Sequence, residues 1–110
     1  MKVEILYFDG CPNHEALLPR VQRLLASQST PAELGLLRIV DDEAAQRQRF
    51  LGSPTVRVDG RDIEPDAEQR TDYGMKCRLY STPTGPSGQP PERWLRAACQ
   101  AAARAKTEPQ

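Results

Sequence analysis

One junction constrains this chain more than any other stretch: Phe8-Asp9-Gly10-Cys11-Pro12-Asn13-His14. An apolar run, Val3 to Phe8 broken only by Glu4, stands before it. After it come Leu17, Leu18, Val21, Leu24 and Leu25 at helical spacing. A strand followed at once by an amphipathic helix needs a sharp turn between them. Gly10 gives the backbone that freedom, and Pro12 suits a first helical position. Cys11 is therefore expected at the start of a helix, where the positive end of the dipole favours thiolate over thiol.

The rest of the chain reads as alternating α and β elements. The covered character of Val3–Phe8 suits a strand buried on both faces. Helix one is expected from about Pro12 to Ser27 with Pro19 inside it, a residue that removes a hydrogen bond and kinks a helix. A loop over 27–33, including Ser29, Thr30 and Pro31, leads to a second strand, Leu36–Val40. Asp41 or Asp42 then caps a shorter helix ending near Phe50, a more economical reading of Asp41-Asp42-Glu43 than a metal or acid–base cluster. Val56-Arg57-Val58, Asp59-Gly60 and Arg61-Asp62-Ile63 spell a hairpin with a two-residue turn. Residues 66–90 show no clean periodicity and are expected to be a long loop or insertion, either functional or disordered. A last helix opens at Pro91 and runs from Glu92 to about Lys106, with 107–110 a fraying tail.

Composition narrows the class. At 110 residues the chain is expected to be one domain with its own core. Fifteen basic residues balance fifteen acidic ones, so no field points to nucleic acid or an anionic membrane. Arg47, Arg49, Arg57 and Arg61 have acidic neighbours and are expected to be solvated. Neither a signal peptide nor a membrane span is read at the N-terminus. Three cysteines make no even disulfide framework, which suggests a cytoplasmic protein with reduced thiols.

With that order of elements, the chain resembles the thioredoxin-like superfamily. Cys11-Pro12-Asn13-His14 stands where that family carries Cys-x-x-Cys, and Pro19 lies five beyond His14, as the family's kinking proline does beyond its second cysteine. Ser53-Pro54-Thr55 before the hairpin looks like its cis-proline element. More narrowly, it resembles small bacterial thioredoxin-like proteins with a Gly-Cys-Pro-Asn site, labelled DF-family (seleno)proteins. The matches cover residues 3–64, and their joint spacing is more specific than any one of them. The resemblance implies an α/β domain of order β-α-β-α-β-β-α, with a four-stranded mixed sheet and a long loop before the last helix. His14 departs from the pattern: it replaces the second cysteine, so no local disulfide forms within the motif.

The resemblance assigns candidate roles, each beside a plainer one. Cys11 is either a reachable nucleophile or a small buried residue at a lapsed site. His14 either adds charge or takes a proton beside it, or is an exposed polar residue. Pro12, Asn13, Ser53, Pro54 and Thr55 would bind substrate, with a cis Pro54 presenting the Ser53 backbone to a peptide or glutathione. Otherwise Pro54 is an ordinary turn proline. Cys77, between Lys76 and Arg78, which would help ionise it, is either a resolving thiol for Cys11 or a free loop cysteine. Cys99 falls on the apolar stripe of the last helix and is expected in the core. The leading expectation is a small thiol–disulfide oxidoreductase or redox sensor with Cys11 as nucleophile and Cys77 or an external thiol resolving, and no cofactor. The alternative is a non-catalytic module binding a partner protein or a thiophilic ion through Cys11, His14 and Cys77, although that spacing fits no standard zinc pattern.

Overall fold

The computed structural model describes residues 1–28 and 30–107. Ser29 of the expected loop, and the expected tail from 108 onward, lie outside the described residues. The architecture is mixed α/β. Strand β1 (Lys2–Tyr7) leads through helix α1 (Asn13–Ala26) to β2 (Glu33–Arg38), then to α2 (Asp42–Arg47), β3 (Thr55–Val58) and β4 (Arg61–Asp62). A 3-10 turn (Ala67–Gln69), strands β5 (Tyr80–Thr82) and β6 (Gly85–Ser87), and helix α3 (Glu92–Thr107) complete it. Four strands form a mixed sheet in the order β2-β1-β3-β4, with β1 parallel to β2 and antiparallel to β3.

The apolar run of β1 fills this central place because both of its faces are covered. Val3 and Ile5 pack with Val56 and Val58 of β3 against Leu17, Val21 and Leu24 of α1 and Leu95 and Cys99 of α3. Leu6 faces the other way, onto Ile39, Ala44, Ala45 and Phe50 around α2. Each large aliphatic side chain so buried contributes about 1.5–3 kcal/mol, enough to hold three short helices on a small sheet. Asp41 caps α2 by accepting the Ala44 amide at 2.8 Å, which satisfies a donor that the helix itself leaves free. Pro19 stands exposed within α1, and the helix runs through it.

Residues 66–90 differ from the expected long loop. They form the 3-10 turn and a β5–β6 hairpin with its own two-stranded pairing, Tyr80 to Ser87 and Thr82 to Gly85. Thr82 ties the turn locally, its hydroxyl donating to the Gly85 carbonyl at 2.5 Å. The strands consist of Ser, Thr, Pro and Gly beside one tyrosine, so no alternation of apolar residues announces them. No described helix is long and apolar enough to cross a membrane.

Candidate functional site

The turn after β1 places Cys11 one residue before Pro12, the N-cap of α1, with Gly10 at φ +97°. The sulfur is not open to solvent. Cys11 is 1% exposed, which corrects the expectation of a reachable nucleophile. Its thiol donates toward the Ser53 carbonyl at 3.5 Å, and the Cys77 thiol donates to the Cys11 sulfur at 3.5 Å. Cys77 is exposed. The outer sulfur therefore covers the inner one.

Backbone pairing holds Cys77 in that place. The Ser53 amide donates to the Lys76 carbonyl at 2.8 Å, and the Arg78 amide donates to the Ser53 carbonyl at 2.9 Å. Together these make a parallel bridge between Ser53 and Cys77. The Ser53–Pro54 bond is cis. Yet the Ser53 backbone expected to present itself to a substrate is already occupied by residues 76–78 of the same chain. Ser53, Pro54 and Thr55 are all buried. In this conformation residues 76–78 of the same chain stand where the Ser53 backbone was expected to receive a substrate. Gly52 permits the close approach: at its φ of +122°, a Cβ would stand 2.9 Å from the Lys76 carbonyl oxygen.

Both neighbours of Cys77 are pinned by charge. Lys76 pairs with Asp72 at 2.8 Å, and Asp72 pairs with Arg70 at 2.8 Å. Arg70 reaches Glu64 at 3.2 Å. Glu64 also holds Arg78, which bonds Asp62 at 2.7 Å and the Thr55 hydroxyl at 3.0 Å. The Arg78 guanidinium, 1% exposed, lies 4.6 Å over the Tyr80 ring, whose hydroxyl donates to the Pro54 carbonyl at 2.6 Å. Burial opposes the charge on Arg78, but the neighbouring Tyr80, Asp62 and Glu64 outweigh it, so the guanidinium holds its proton more tightly than usual. Burial pushes the Tyr80 phenol well above its ordinary range. The Ser53 hydroxyl and Arg78 Nε are buried with no partner among the described residues.

The other candidates fall into place around this cluster. His14 is engaged with the backbone at the helix start. Its Nδ1 lies 2.6 Å from the Cys11 carbonyl, an acceptor, so that nitrogen carries the proton and donates. Its ring stacks on Tyr7 at 4.2 Å between centroids. His14 thus braces the helix start through the Cys11 carbonyl and the Tyr7 ring. Pro12 is exposed beside the pair, and Asn13 lies against Gly88 after β6, partly covered by its own chain. Cys99 is fully buried in the core beside α1 and the sheet. Of the arginines expected to be solvated, Arg47 pairs with Glu43 and Arg57 donates to the carbonyls of Gln48 and Arg49. Among the described residues no group of three or more His, Cys, Asp or Glu is suited to a metal ion.

The hydrogen bond that Cys77 donates to Cys11, helped by partial burial, raises Cys77 above the ordinary thiol value. A thiol donating to a second sulfur is stabilised as the proton-bearing partner. A cavity of about 660 Å³ lies elsewhere, between β4 and α3 along Trp94, Ala98 and Ala101, and includes neither sulfur. The burial of Arg78, rather than its place beside Cys77, is what sequence reasoning missed. It stood in an unpatterned charged stretch, and only the Asp62 and Glu64 carboxylates brought in by the hairpin explain its burial. No family model, curated protein or solved structure matches the chain.

Proposed function

We propose that this chain is a thiol–disulfide exchange module, with Cys11 and Cys77 as its working pair on a thioredoxin-like domain in a reducing, cytoplasmic setting. The observation that carries this reading is the 3.5 Å approach of two sulfurs 66 residues apart in the chain, one of them exposed. A disulfide needs about 2.05 Å between sulfurs, so closure asks for roughly 1.5 Å of relative movement. The thioredoxin-like reading is supported by the parallel β1-α1-β2 unit, the antiparallel β3–β4 hairpin and Cys11 at the start of α1.

Access sets the order of the steps, because exchange depends on which sulfur can be attacked. Cys77 releases its proton to solvent and attacks one sulfur of an external disulfide, RSSR′. The S–S bond breaks, and R′S⁻ leaves and takes up a proton. Cys11 then gives up its proton and attacks the Cys77 sulfur of the mixed disulfide, expelling RS⁻, which is protonated in turn. The protein pair loses two electrons and two protons, and the external disulfide gains them. In the return direction a thiolate such as glutathione attacks Cys77 and expels Cys11. Cys11 is the resolving sulfur in this scheme, the reverse of the roles expected from sequence.

Mild oxidation with diamide followed by peptide mass mapping tests the reading. The expected product is an intramolecular Cys11–Cys77 link, with the mass lower by two hydrogens and Cys99 free. Oxidation that leaves both thiols unlinked overturns it.

A further inference from the structure

The segment around Cys77 has two edges, and only one is in use. Toward Ser53 it offers the Lys76 carbonyl and the Arg78 amide, and both are paired. The amides and carbonyls of Cys77 and Leu79 have no backbone partner among the described residues. Arg78 and Tyr80 point inward and are buried, whereas Cys77 and Leu79 are exposed. Leu79 is 69% exposed, and Met75, in the tight turn just before, is 36% exposed. These are two of the four large hydrophobic side chains left exposed among the described residues, and both stand two positions from the outer sulfur. Unpaired backbone amides and carbonyls beside exposed apolar side chains are a template for an added strand.

We propose that the outer edge of residues 75–79 docks an extended, apolar segment of a partner protein, which pairs with the Cys77 and Leu79 backbone and presents its own disulfide to Cys77. This rests on the exchange reading above and names its substrate class. The Ser53 edge is filled by the chain itself, so an incoming strand has this edge to add to. Small hydrophilic disulfides lack both the backbone ladder and the apolar contact, and so gain nothing from it.

The test uses the intact protein and three disulfide probes: hydroxyethyl disulfide, a disulfide-linked peptide dimer with leucine two positions from its cysteine, and the same peptide with aspartate there. The leucine peptide is expected to exchange about tenfold faster than the aspartate peptide, the equivalent of half-burying one leucine. Methylating its backbone nitrogens at the pairing positions should remove most of its advantage. Leu79→Asp should bring the leucine-to-aspartate ratio close to one. Equal rates for the two peptides, indifference to N-methylation, or a ratio unchanged in Leu79→Asp would each overturn the docking edge while leaving exchange at Cys77 standing. Failure of all three probes to exchange would remove the exchange reading, and the docking edge with it.

Discussion

Replacing Arg78 by methionine should cost this protein about 3 kcal/mol, through charges left behind rather than apolar surface lost. The guanidinium makes two bonds to Asp62, one to Glu64 and one to Thr55, and its side chain is 1% exposed. Breaking a buried ion pair from one side typically costs about 3–5 kcal/mol, because the abandoned charge stays desolvated. Here the lower end applies. Asp62 and Glu64 are 13% and 18% exposed and so can draw on water, and Glu64 keeps Arg70 at 3.2 Å. For a domain of this size the loss corresponds to a fall in Tm of roughly 12 °C. Urea unfolding of wild type and Arg78→Met, with the slope checked for constancy, measures it. The double variant Arg78→Met/Asp62→Asn should recover part of the loss, because it removes the stranded charge. A loss below about 1 kcal/mol, or a double variant less stable than Arg78→Met alone, would refute the reasoning.

Three further outcomes follow from the same geometry. Alkylation at neutral pH should modify Cys77 first, with Cys11 and Cys99 slow, as resolved by peptide mapping over time; Cys11 reacting first would contradict its burial. Gly52→Ala places a Cβ against the Lys76 carbonyl at a φ of +122°, and should cost about 1–3 kcal/mol in urea unfolding and expose Cys11 to alkylation by displacing residues 76–78. Burial raises Cys99 from 9.0 and Tyr80 from 10.0, so the folded protein keeps protons that the unfolded chain loses. That stability is fully present below about pH 9 and is lost as pH rises through the raised values. The urea midpoint should therefore fall above about pH 9, and fall less in Tyr80→Phe.

The elements governed by local chemistry were legible in the chain. The Gly10-Cys11-Pro12 turn, the Asp41 cap and the Asp59-Gly60 hairpin each follow from a residue's own backbone preference or hydrogen-bonding reach. The candidate site was legible only in part, because its second half is non-local. Cys77 meets Cys11 across 66 residues through a bridge to Ser53, and nothing in Met75-Lys76-Cys77-Arg78-Leu79 reports that bridge. Arg78 was read as a cation beside Cys77, and its burial makes sense only once Asp62 and Glu64 come within reach. The β5–β6 hairpin was hidden for a different reason: it closes on Ser, Thr and Pro, with Tyr80 its one buried anchor. Access misled most. A cysteine at a helix start looks open, and here a second cysteine from the same chain stands over it.

The most direct measurement is an equilibrium titration of the protein against glutathione mixtures, acid-quenched and scored for the Cys11–Cys77 link. The account predicts one transition that follows the square of reduced over oxidised glutathione, as a two-electron exchange requires. It should vanish in Cys11→Ser and in Cys77→Ser, and persist in Cys99→Ser. A glutathione adduct on Cys77 that accumulates with Cys11 still a free thiol would contradict it.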